Sequence, residues 1–259
     1  MSEDEAKLAE LVQSARRIVI FSGAGISTES GIPDFRGPGG IWTKFDPSEF
    51  TIQNFMASAE SRKKYWLRST GMYEQIIESE PNAAHRAVAL LEEAGRLGAV
   101  ITQNVDGLHQ QAGNSPDKVI ELHGTTRDVA CLSCGDRQPR EAFQPLVQAD
   151  GTAPDCEKCG GLIKPATISF GQALEPPVLE RAAEEVERCD LFLVVGSSLV
   201  VYPAAGLPML AVSRGTPLAI VNLQETPHDG QAEVVVREMA GTVLPPIVEQ
   251  LPLPKPLPV

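Results

Sequence analysis

Two cysteine pairs have the spacing that most directly specifies chemistry in this 259-residue chain. Two residues separate Cys131 from Cys134 and also Cys156 from Cys159, and each pair is followed by glycine. Such turns direct their thiolates at one point, and two of them supply the four ligands of a tetrahedral zinc site. Four thiolates leave no open coordination position, so we expect a structural zinc. The alternative is a chance set of buried cysteines; the fifth, Cys189, is expected to be a small core residue.

One of the four histidines is a candidate general base. An imidazole titrates near neutral pH, which suits it to accept a proton. His123 follows a short apolar block and precedes a glycine, at the end of a predicted strand. His85 and His109 lie in or near predicted helices and are expected to pack or to form hydrogen bonds. His228 lies in a polar loop, where we expect it to be solvated.

A glycine-rich stretch follows the first apolar block, Arg17 to Phe21. Gly23 and Gly25 could let backbone N–H groups approach a phosphate at the N-terminus of a helix. The pattern is incomplete as a dinucleotide signature, because Thr28 stands where a third glycine is usual. An acidic residue at the distance expected of a ribose contact is also missing. A plain turn at a helix N-terminus is the alternative.

Short apolar blocks predict the strands that must position these residues. The blocks are rich in β-branched residues, end in small or polar residues, and span 17–21, 99–102, 118–122, 191–195, 218–222 and, more weakly, 233–236. Helical patterns at 83–96 and 177–188 lie between them. This alternation predicts an α/β fold with a Rossmann-like, doubly wound parallel sheet. Ligands of such sheets bind beyond the carboxyl ends of the strands, so the polar residues there should share one rim.

Two segments interrupt the alternation. One contains eight aromatic residues and no convincing strand, and the other contains the paired cysteines among turn residues. We expect both to be insertions that together form a second, smaller zinc-binding and helical lobe. The expected boundaries are 34–80 and 124–170 for the small lobe, 1–33, 81–123 and 171–250 for the larger domain, and 251–259 for a Pro-rich tail.

The overall charge argues against nucleic acid as a ligand. The net charge is −12 and the pI is about 4.8, whereas phosphate binding needs a basic face. The uncharged run from Leu191 to Ser213 contains glycine and proline, so it predicts a strand, a loop and a helix rather than a membrane span. Paired cysteines without a secretory signal indicate a reducing, cytoplasmic setting. Nothing in the sequence indicates an oligomeric state.

Six motifs occur in one order: GAGIS, SGIPDFRG, TQNVDGLH, LHG, the paired CxxC and VGSSLVVYP. In this they resemble the sirtuins, the NAD-dependent protein-lysine deacylases, from about residue 18 to 245. That family combines a Rossmann-like domain with a small zinc-and-helix lobe, and NAD and the acyl-lysine meet between them. The resemblance implies NAD as cosubstrate, structural zinc, and acylated lysine side chains of proteins as partners.

The resemblance also implies which residues contact NAD. The glycine loop would hold the pyrophosphate, Phe35 would shield the reactive carbon from water, and residues 103–106 would grip the ribose and the nicotinamide amide. The implied contacts are Gly23, Ala24, Gly25, Thr28, Asp34, Phe35, Arg36, Gln103, Asn104, Val105, Asp106, His123, Gly196, Ser197, Ser198, Asn222, Leu223 and Ala240.

In the sirtuins, the acyl oxygen attacks C1′ of the nicotinamide ribose, nicotinamide leaves, and a histidine acts as base on the ribose hydroxyls. The products are nicotinamide, O-acyl-ADP-ribose and free lysine. His123 matches that base, and Asn104 is the second implied catalytic residue. The lysine substrate would pair as a strand between 167–171 and 199–202. Ile168 would accept the lysine N–H and Phe170 would line the acyl tunnel; Gly171 and Val200 complete the implied substrate contacts.

Two departures from the family pattern and one pair of residues bear on acyl preference. Gln172 stands where glutamate is usual, and Ser197 replaces threonine but keeps the hydroxyl. Tyr65 and Arg68 lie one helical turn apart, and some sirtuins use such a pair to bind acidic acyl groups. The alternative is that Arg68 is a solvated surface charge. The surrounding motifs look closer to the mitochondrial-type branch, where deacetylation is often weak.

Two other functions fit the same motifs. A mono-ADP-ribosyltransferase would use the same NAD site with a protein nucleophile in place of the acyl oxygen. A non-catalytic module would pair an NAD-sensing domain with a zinc ribbon, although the intact His-Gly pair and the polar residues at the strand ends argue against it.

Overall fold

The computed structural model describes residues 1–252, and its elements follow the predicted alternation. Within that range the strands are β1 (Ile18–Ser22), β2 (Leu97–Thr102), β3 (Val119–Glu121), β4 (Gly124–Cys131), β5 (Arg137–Pro139), β6 (Ile163–Thr167), β7 (Leu191–Val195), β8 (Leu218–Val221) and β9 (Val234–Val236). The α-helices are α1 (Glu3–Ser14), α2 (Ile52–Ala57), α3 (Ala59–Glu78), α4 (Ala83–Glu93), α5 (Leu108–Gln111), α6 (Arg140–Phe143), α7 (Pro176–Arg188), α8 (Leu207–Ser213) and α9 (Ala240–Val248).

Six strands form one parallel sheet in the order β3-β2-β1-β7-β8-β9. Every neighbouring pair in this sheet is parallel. The chain crosses from β3 on one side of β1 to β7 on the other, so the strand order reverses between β1 and β7. This is the doubly wound Rossmann-like arrangement, and the predicted fold class is confirmed. The reversal creates a crevice beyond the carboxyl ends of β1 and β7, where ligands of such sheets bind.

Helices cover both faces of the sheet, which explains why its strands are continuously apolar. All five residues of β1 are buried. Helices α1, α4 and α9 contribute Leu8, Val88 and Leu244 to the apolar layer on one face. Helices α7 and α8 contribute Val186 and Ala211 to the layer on the other. Full burial of one such aliphatic side chain contributes roughly 1.5–3 kcal/mol, so these layers hold the strand ends in fixed positions.

A second, antiparallel sheet in the order β5-β4-β6 lies within the cysteine-containing segment. It was not predicted. It packs against the aromatic segment, and the shared core includes Phe55 from α2, Trp66 from α3 and Phe143 from α6. The centroids of the Trp66 and Phe143 rings lie 5.5 Å apart. The two interruptions of the α/β alternation therefore share one apolar core.

Several element boundaries differ from the predicted ones for local reasons. The predicted helix 83–96 ends at Glu93, because Gly95 adopts a left-handed conformation with φ of 68° and Leu97 already begins β2. The uncharged run 191–213 divides into β7, a loop and α8, as expected. Among residues 1–252, no helix combines the length and apolar character needed to cross a membrane. Most of the Pro-rich tail, residues 253–259, lies outside the described residues.

Candidate active site

The polar residues predicted to share a rim meet at the crevice between β1 and β7. The backbone N–H of Gly25, after β1, donates to the carbonyl of Gly196, after β7, at 2.8 Å. The side-chain amide of Gln103, after β2, donates to Ser197 Oγ at 2.8 Å. The carbonyl of Gln103 in turn lies 2.8 Å from Nδ1 of His123, after β3. Four loops from four strands thus form one connected polar rim.

Close backbone packing explains the two glycines of the loop after β1. A Cβ atom on Gly25 would lie 2.8 Å from Cα of Gly196, and one on Gly23 would lie 2.7 Å from the Gly196 carbonyl oxygen. The stretch from Ala24 to Ser30 is a 3-10 helix, and Thr28 Oγ1 donates to the carbonyl of Gly25 at 2.9 Å. Thr28 therefore closes this turn, which gives a local reason for the absence of a third glycine.

Asn104 and Asp106 turn inward beneath the glycine loop. Asn104 Nδ2 donates to the carbonyl of Gly23 at 3.2 Å and to Ser27 Oγ at 3.0 Å. Ser27 donates to Asp106 Oδ2 at 2.8 Å. Burial raises the pKa of Asp106, although the backbone N–H of Leu108 and the Ser27 hydroxyl oppose the rise. Ser27 connects both side chains to the loop; it is the last residue of the GAGIS motif, but the sequence alone provided no reason to assign it a contact.

A pair of buried histidines supports this network from below. His85 Nε2 lies 3.5 Å from Ser27 Oγ, and His109 Nε2 lies 2.9 Å from Ser22 Oγ. Burial lowers the pKa of His85 to about 4 and that of His109 well below its usual value, so both are neutral at pH 7. The expectation that they form hydrogen bonds is confirmed. The expectation for His228 is wrong: it is buried, and its Nε2 bonds the carbonyl of Ala205 at 3.1 Å.

His123 presents the geometry of a general base. The carbonyl of Gln103 can only accept, so the 2.8 Å contact places the proton on Nδ1 and leaves the lone pair on Nε2. Burial lowers the pKa of His123, and the hydrogen bond to Gln103 partly offsets this effect. The ring is therefore neutral and fixed in one tautomer near pH 7, as proton abstraction requires.

The segment from Asp34 to Trp42 forms a loop beside the end of the glycine loop. Asp34 Oδ1 accepts the backbone N–H of Gly37 at 2.8 Å, which makes the loop a compact turn. The ring of Phe35 lies 5.2 Å from that of Trp42, and Arg36 is exposed. A cavity of about 230 Å³ separates this loop from the end of the glycine loop. Its lining residues are Thr28, Gly31, Ile32, Pro33, Asp34, Pro38, Gly39 and Gly40.

Almost every main-chain group between Ile168 and Phe170 has a protein partner. The N–H of Ile168 donates to the carbonyl of His123 at 2.8 Å, and Phe170 bonds Phe50 and Ile52 through its N–H and carbonyl. The N–H of Ser169 donates to the side chain of Gln172, whose own N–H donates back. Among the described residues, only the Ile168 carbonyl in this stretch has no hydrogen-bond donor.

Aromatic rings form a wall next to this segment. Trp42 lies 5.1 Å from Phe50 and 5.7 Å from Phe170, measured between ring centroids. Gly171 adopts a left-handed conformation with φ of 78° and redirects the chain after Phe170. Phe170 and Val200 remain 41% and 45% exposed, which is unusual for large apolar side chains and leaves them able to contact a ligand.

The four paired cysteines meet as predicted. Their sulfur atoms all lie within 4.8 Å of one another. The Sγ atoms of Cys131 and Cys159 are 3.5 Å apart, and the N–H of Ser133 points at Cys131 Sγ. Gly135, after the first pair, has φ of 73°, which closes the turn that brings its cysteines together. Four converging thiolates fit a structural zinc ion and leave no open coordination position.

Comparisons with known proteins agree with this geometry. The Sir2 family model matches residues 23–203, which cover the crevice loops and the cysteine cluster. The chain belongs to the Sir2 family.

Individual relatives of this Sir2-family chain match over nearly their full length. It is 47% identical to "NAD-dependent protein deacetylase 2" of Streptomyces coelicolor, over 90% of this chain and 97% of the relative. It is 42% identical to "NAD-dependent protein deacylase 2" of Archaeoglobus fulgidus, over 97% of each. A Sir2 homologue–NAD complex superposes with a TM-score of 0.84 at 40% identity, covering 95% of this chain and 93% of that one.

A further solved relative of this Sir2-family chain contains reaction products. It is a Sir2 variant bound to a deacetylated p53 peptide and 3′-O-acetyl-ADP-ribose. The two chains superpose with a TM-score of 0.86 at 39% identity, covering 95% of this chain and 97% of the relative.

Among residues 1–252 of this Sir2-family chain, Tyr65 and Arg68 share no polar partner. Tyr65 is partly buried, with its ring 5.1 Å from Phe55 and its hydroxyl 3.4 Å from Lys164 Nζ. Arg68 pairs with Glu49 at 2.5 Å and lies over the ring of Phe45 at 5.5 Å. Arg68 is therefore neither aligned with Tyr65 in one carboxylate-binding pair nor a fully solvated charge.

The residues implied on the adenosine side lie beyond β8 and at the start of α9. Asn222 Nδ2 donates to the carbonyl of Gln224 at 2.8 Å, while Leu223 is 57% exposed. Ala240 is buried at the first turn of α9, and the next residue, Gly241, donates its N–H to Glu29 at 2.8 Å. This contact ties α9 to the end of the glycine loop.

Proposed function

We propose that this chain is an NAD-dependent protein-lysine deacylase that yields nicotinamide, O-acyl-ADP-ribose and free lysine. The observation that carries the proposal is the position of His123. Its side chain is a neutral base at the rim, and its backbone carbonyl accepts the N–H of Ile168 in the segment proposed to bind substrate. The names of the Sir2 relatives, deacetylase and deacylase, support the same activity.

The residues of the crevice have separate tasks in this proposal. NAD supplies an electrophilic ribose carbon once nicotinamide departs. Gly23, Ala24, Gly25 and Thr28 present a glycine-loop backbone to the pyrophosphate, since small residues let N–H groups approach an anion. Gln103, Asn104, Val105 and Asp106 lie on the rim and are proposed to grip the ribose and the nicotinamide amide. Phe35, from the loop with Asp34 and Arg36, excludes water from the reacting carbon.

The acyl oxygen bonds to that carbon, and His123 Nε2 takes the proton from a ribose hydroxyl, whose oxygen then attacks the acyl carbon. The lysine amine leaves, and one water supplies the remaining oxygen and hydrogens of O-acyl-ADP-ribose and free lysine. Because the Nδ1–H of His123 is held by Gln103, the ring presents Nε2 without reorganisation. Asn104, anchored by Gly23 and Ser27, is proposed as the second catalytic residue. Gly196, Ser197 and Ser198, with Asn222, Leu223 and Ala240, are proposed to hold the adenosine side.

The acyl-lysine is proposed to bind as a strand beside Ile168. The open Ile168 carbonyl is suited to accept the lysine N–H, and main-chain pairing of this kind reads little sequence. Phe170 and the aromatic wall would enclose the acyl group, with Gly171 and Val200 beside it. The proposed division into a larger domain and a small lobe, at the boundaries given above, puts this cleft between them. A cytoplasmic location is part of the proposal.

Incubation with NAD and a panel of lysine peptides bearing acetyl, succinyl, glutaryl and long-chain acyl groups tests the function. Mass spectrometry should show O-acyl-ADP-ribose with at least one peptide. A protein that instead gains the mass of one ADP-ribose would be a mono-ADP-ribosyltransferase, and the absence of either product would refute the proposal. Replacement of His123 by Ala should reduce acyl removal by about 10²–10⁴-fold.

Tyr65 and Arg68 are proposed as acyl contacts only for acidic groups, and only if Glu49 is displaced. Glu49→Gln removes the carboxylate that occupies Arg68. Because a hydrogen bond to a charged group contributes about 1.5–3 kcal/mol, the ratio of succinyl to acetyl turnover should then rise about tenfold or more. Glu60→Gln, which removes an exposed charge at the start of α3, is the control. An unchanged ratio would exclude Arg68 from the acyl pocket.

A further inference from the structure

Lys164, on β6, is a buried cation without an anionic partner among the described residues. It is 2% exposed, and no carboxylate in residues 1–252 lies within salt-bridge distance of its ammonium group. Nζ donates to the carbonyl of Thr167 at 2.6 Å and to that of Pro165 at 3.0 Å. An isolated buried ammonium is costly unless its protons are satisfied, so these carbonyls must stay directed at Lys164.

The Thr167 carbonyl belongs to the same peptide group as the Ile168 N–H. Lys164 holds the oxygen of this group, and the His123 carbonyl holds its hydrogen at 2.8 Å. A peptide group is planar and rigid, so two hydrogen bonds on its opposite sides fix its orientation. That orientation fixes the N-terminal side of Ile168, whose carbonyl shares the following peptide group with the Ser169 N–H that donates to Gln172 Oε1 at 3.2 Å.

The backbone just before this peptide group also packs against Gly124, the residue that follows His123. Gly124 packs so tightly on this segment that a Cβ atom would lie 2.1 Å from the carbonyl oxygen of Ala166. Gly124 also has φ of 70°, a conformation that glycine adopts without strain. The chain that carries the candidate base is therefore held against the stretch that Lys164 anchors.

We propose that Lys164 is a positioning residue for the deacylation reaction. By orienting the Thr167–Ile168 peptide group, and with Gln172 holding the next one, it helps to aim the open Ile168 carbonyl at the substrate lysine and holds His123 beside it. This inference rests on the proposed function, because it assigns Lys164 to the acyl-peptide side of that cleft. Lys164 itself touches neither NAD nor substrate.

Arg140 provides a matched comparison for the cost of removing a buried cation. It is fully buried, donates to Thr126 Oγ1 and to the carbonyl of Ser69, and lies 4.3 Å from the centre of the Tyr73 ring. Among the described residues, no carboxylate lies within salt-bridge distance of Arg140, and Arg140 makes no hydrogen bond to the stretch from Pro165 to Ile168. Loss of Arg140 should destabilise the lobe without acting on that stretch.

The test compares Lys164→Met, Lys164→Arg and Arg140→Met in steady-state kinetics, below the melting temperature of each variant. Lys164→Met should raise KM for an acyl-lysine peptide by about tenfold, the effect of losing a charge-assisted hydrogen bond, and leave KM for NAD nearly unchanged. Lys164→Arg should recover most of the loss, because guanidinium can donate to the same carbonyls. Equal rises in both KM values, or the same pattern in Arg140→Met, would overturn the inference.

A second measurement does not require enzymatic activity, so it tests this inference independently of the proposed function. Relative to the other amides of β4 and β6, hydrogen exchange at the Ile168 amide should rise in Lys164→Met and should not rise in Arg140→Met. If the wild-type protein deacylated no peptide, the function would fail while this exchange measurement still tested the anchoring. If exchange at Ile168 were the same in Lys164→Met as in the wild type, Lys164 would not position it.

Discussion

At the scale of single residues, His123 shows how position changes the role of a side chain. Four histidines are present, and the structure gives them different surroundings. His85, His109 and His228 are buried with hydrogen-bond partners that leave them structural. His123 alone combines a fixed Nδ1–H with a place on the rim shared by the glycine loop and the Ile168 segment.

The pH dependence of kcat/KM follows from the pKa of His123. Burial lowers this pKa below the usual value near 6.5, and the base must be deprotonated to act. Activity should therefore be fully present at neutral pH and fall only as the pH drops through a value below about 6.5. Steady-state assays across pH 5–8 measure this fall in kcat/KM, which is the acid limb of the pH profile.

A control is needed because Glu121, two residues earlier, has a pKa that burial raises to about 7. Glu121→Gln removes that titration and should leave the acid limb in place. If the limb moved or vanished in Glu121→Gln, the assignment to His123 would be incorrect.

Gly25 gives a second residue-scale prediction. An alanine there would push its Cβ into Gly196, so the two loops must separate. Gly25→Ala should weaken NAD binding by about tenfold or more, because overpacking of this kind costs about 1–3 kcal/mol. Isothermal titration with NAD measures the change. Gly206→Ala, where a Cβ meets open space, should bind NAD like the wild type; equal losses in both variants would contradict the argument.

At the scale of elements, the sequence predicts the six-stranded sheet far better than the three-stranded one. The strands of the parallel sheet are buried on both faces, and this leaves continuous apolar blocks such as residues 191–195. Strands β4 to β6 are interrupted by the cysteine turns, and β4 mixes buried with exposed residues, so no pattern marks them. The pairing of Arg68 with Glu49 was equally unpredictable, because it joins α3 to the short 3-10 helix Pro47–Phe50, whose position depends on packing.

The rim residues were predictable because parallel strands place their carboxyl ends together. Ser27 and Lys164 were not, because each acts through hydrogen bonds to neighbours that only the folded chain brings near. His228 was misassigned since its polar neighbours suggested solvent, whereas its ring packs under the carbonyl of Ala205.

Zinc removal tests the role of the cysteine-bearing elements. A structural zinc site contributes on the order of 10 kcal/mol to folding, so Cys134→Ser should lose the metal and unfold β4 to β6. Metal analysis should find about one zinc per wild-type chain. Hydrogen exchange should rise in residues 124–170 before it rises in the six-stranded sheet. Cys189→Ala, which changes a buried cysteine outside the cluster, should keep its zinc; zinc retention in Cys134→Ser would contradict the assignment.

At the scale of the whole molecule, one peptide segment joins the two sheets at the place where chemistry is proposed. The chain leaves β3 through His123 and enters β4 at Gly124, while Ile168 returns from β6 to bond His123. The N–H of Thr126 also donates to the carbonyl of Val105 at 3.0 Å, which links β4 to the rim. The lobe with the cysteine cluster can thus act on the proposed site through these backbone contacts, although four cysteines leave no coordination position on zinc for a substrate.

The most direct test is to quantify all three products from one incubation with NAD and an acetyl-lysine peptide. We expect equal amounts of nicotinamide, O-acetyl-ADP-ribose and free-lysine peptide. Acyl loss with NAD left intact, or nicotinamide release without any acyl-ADP-ribose, would contradict this expectation.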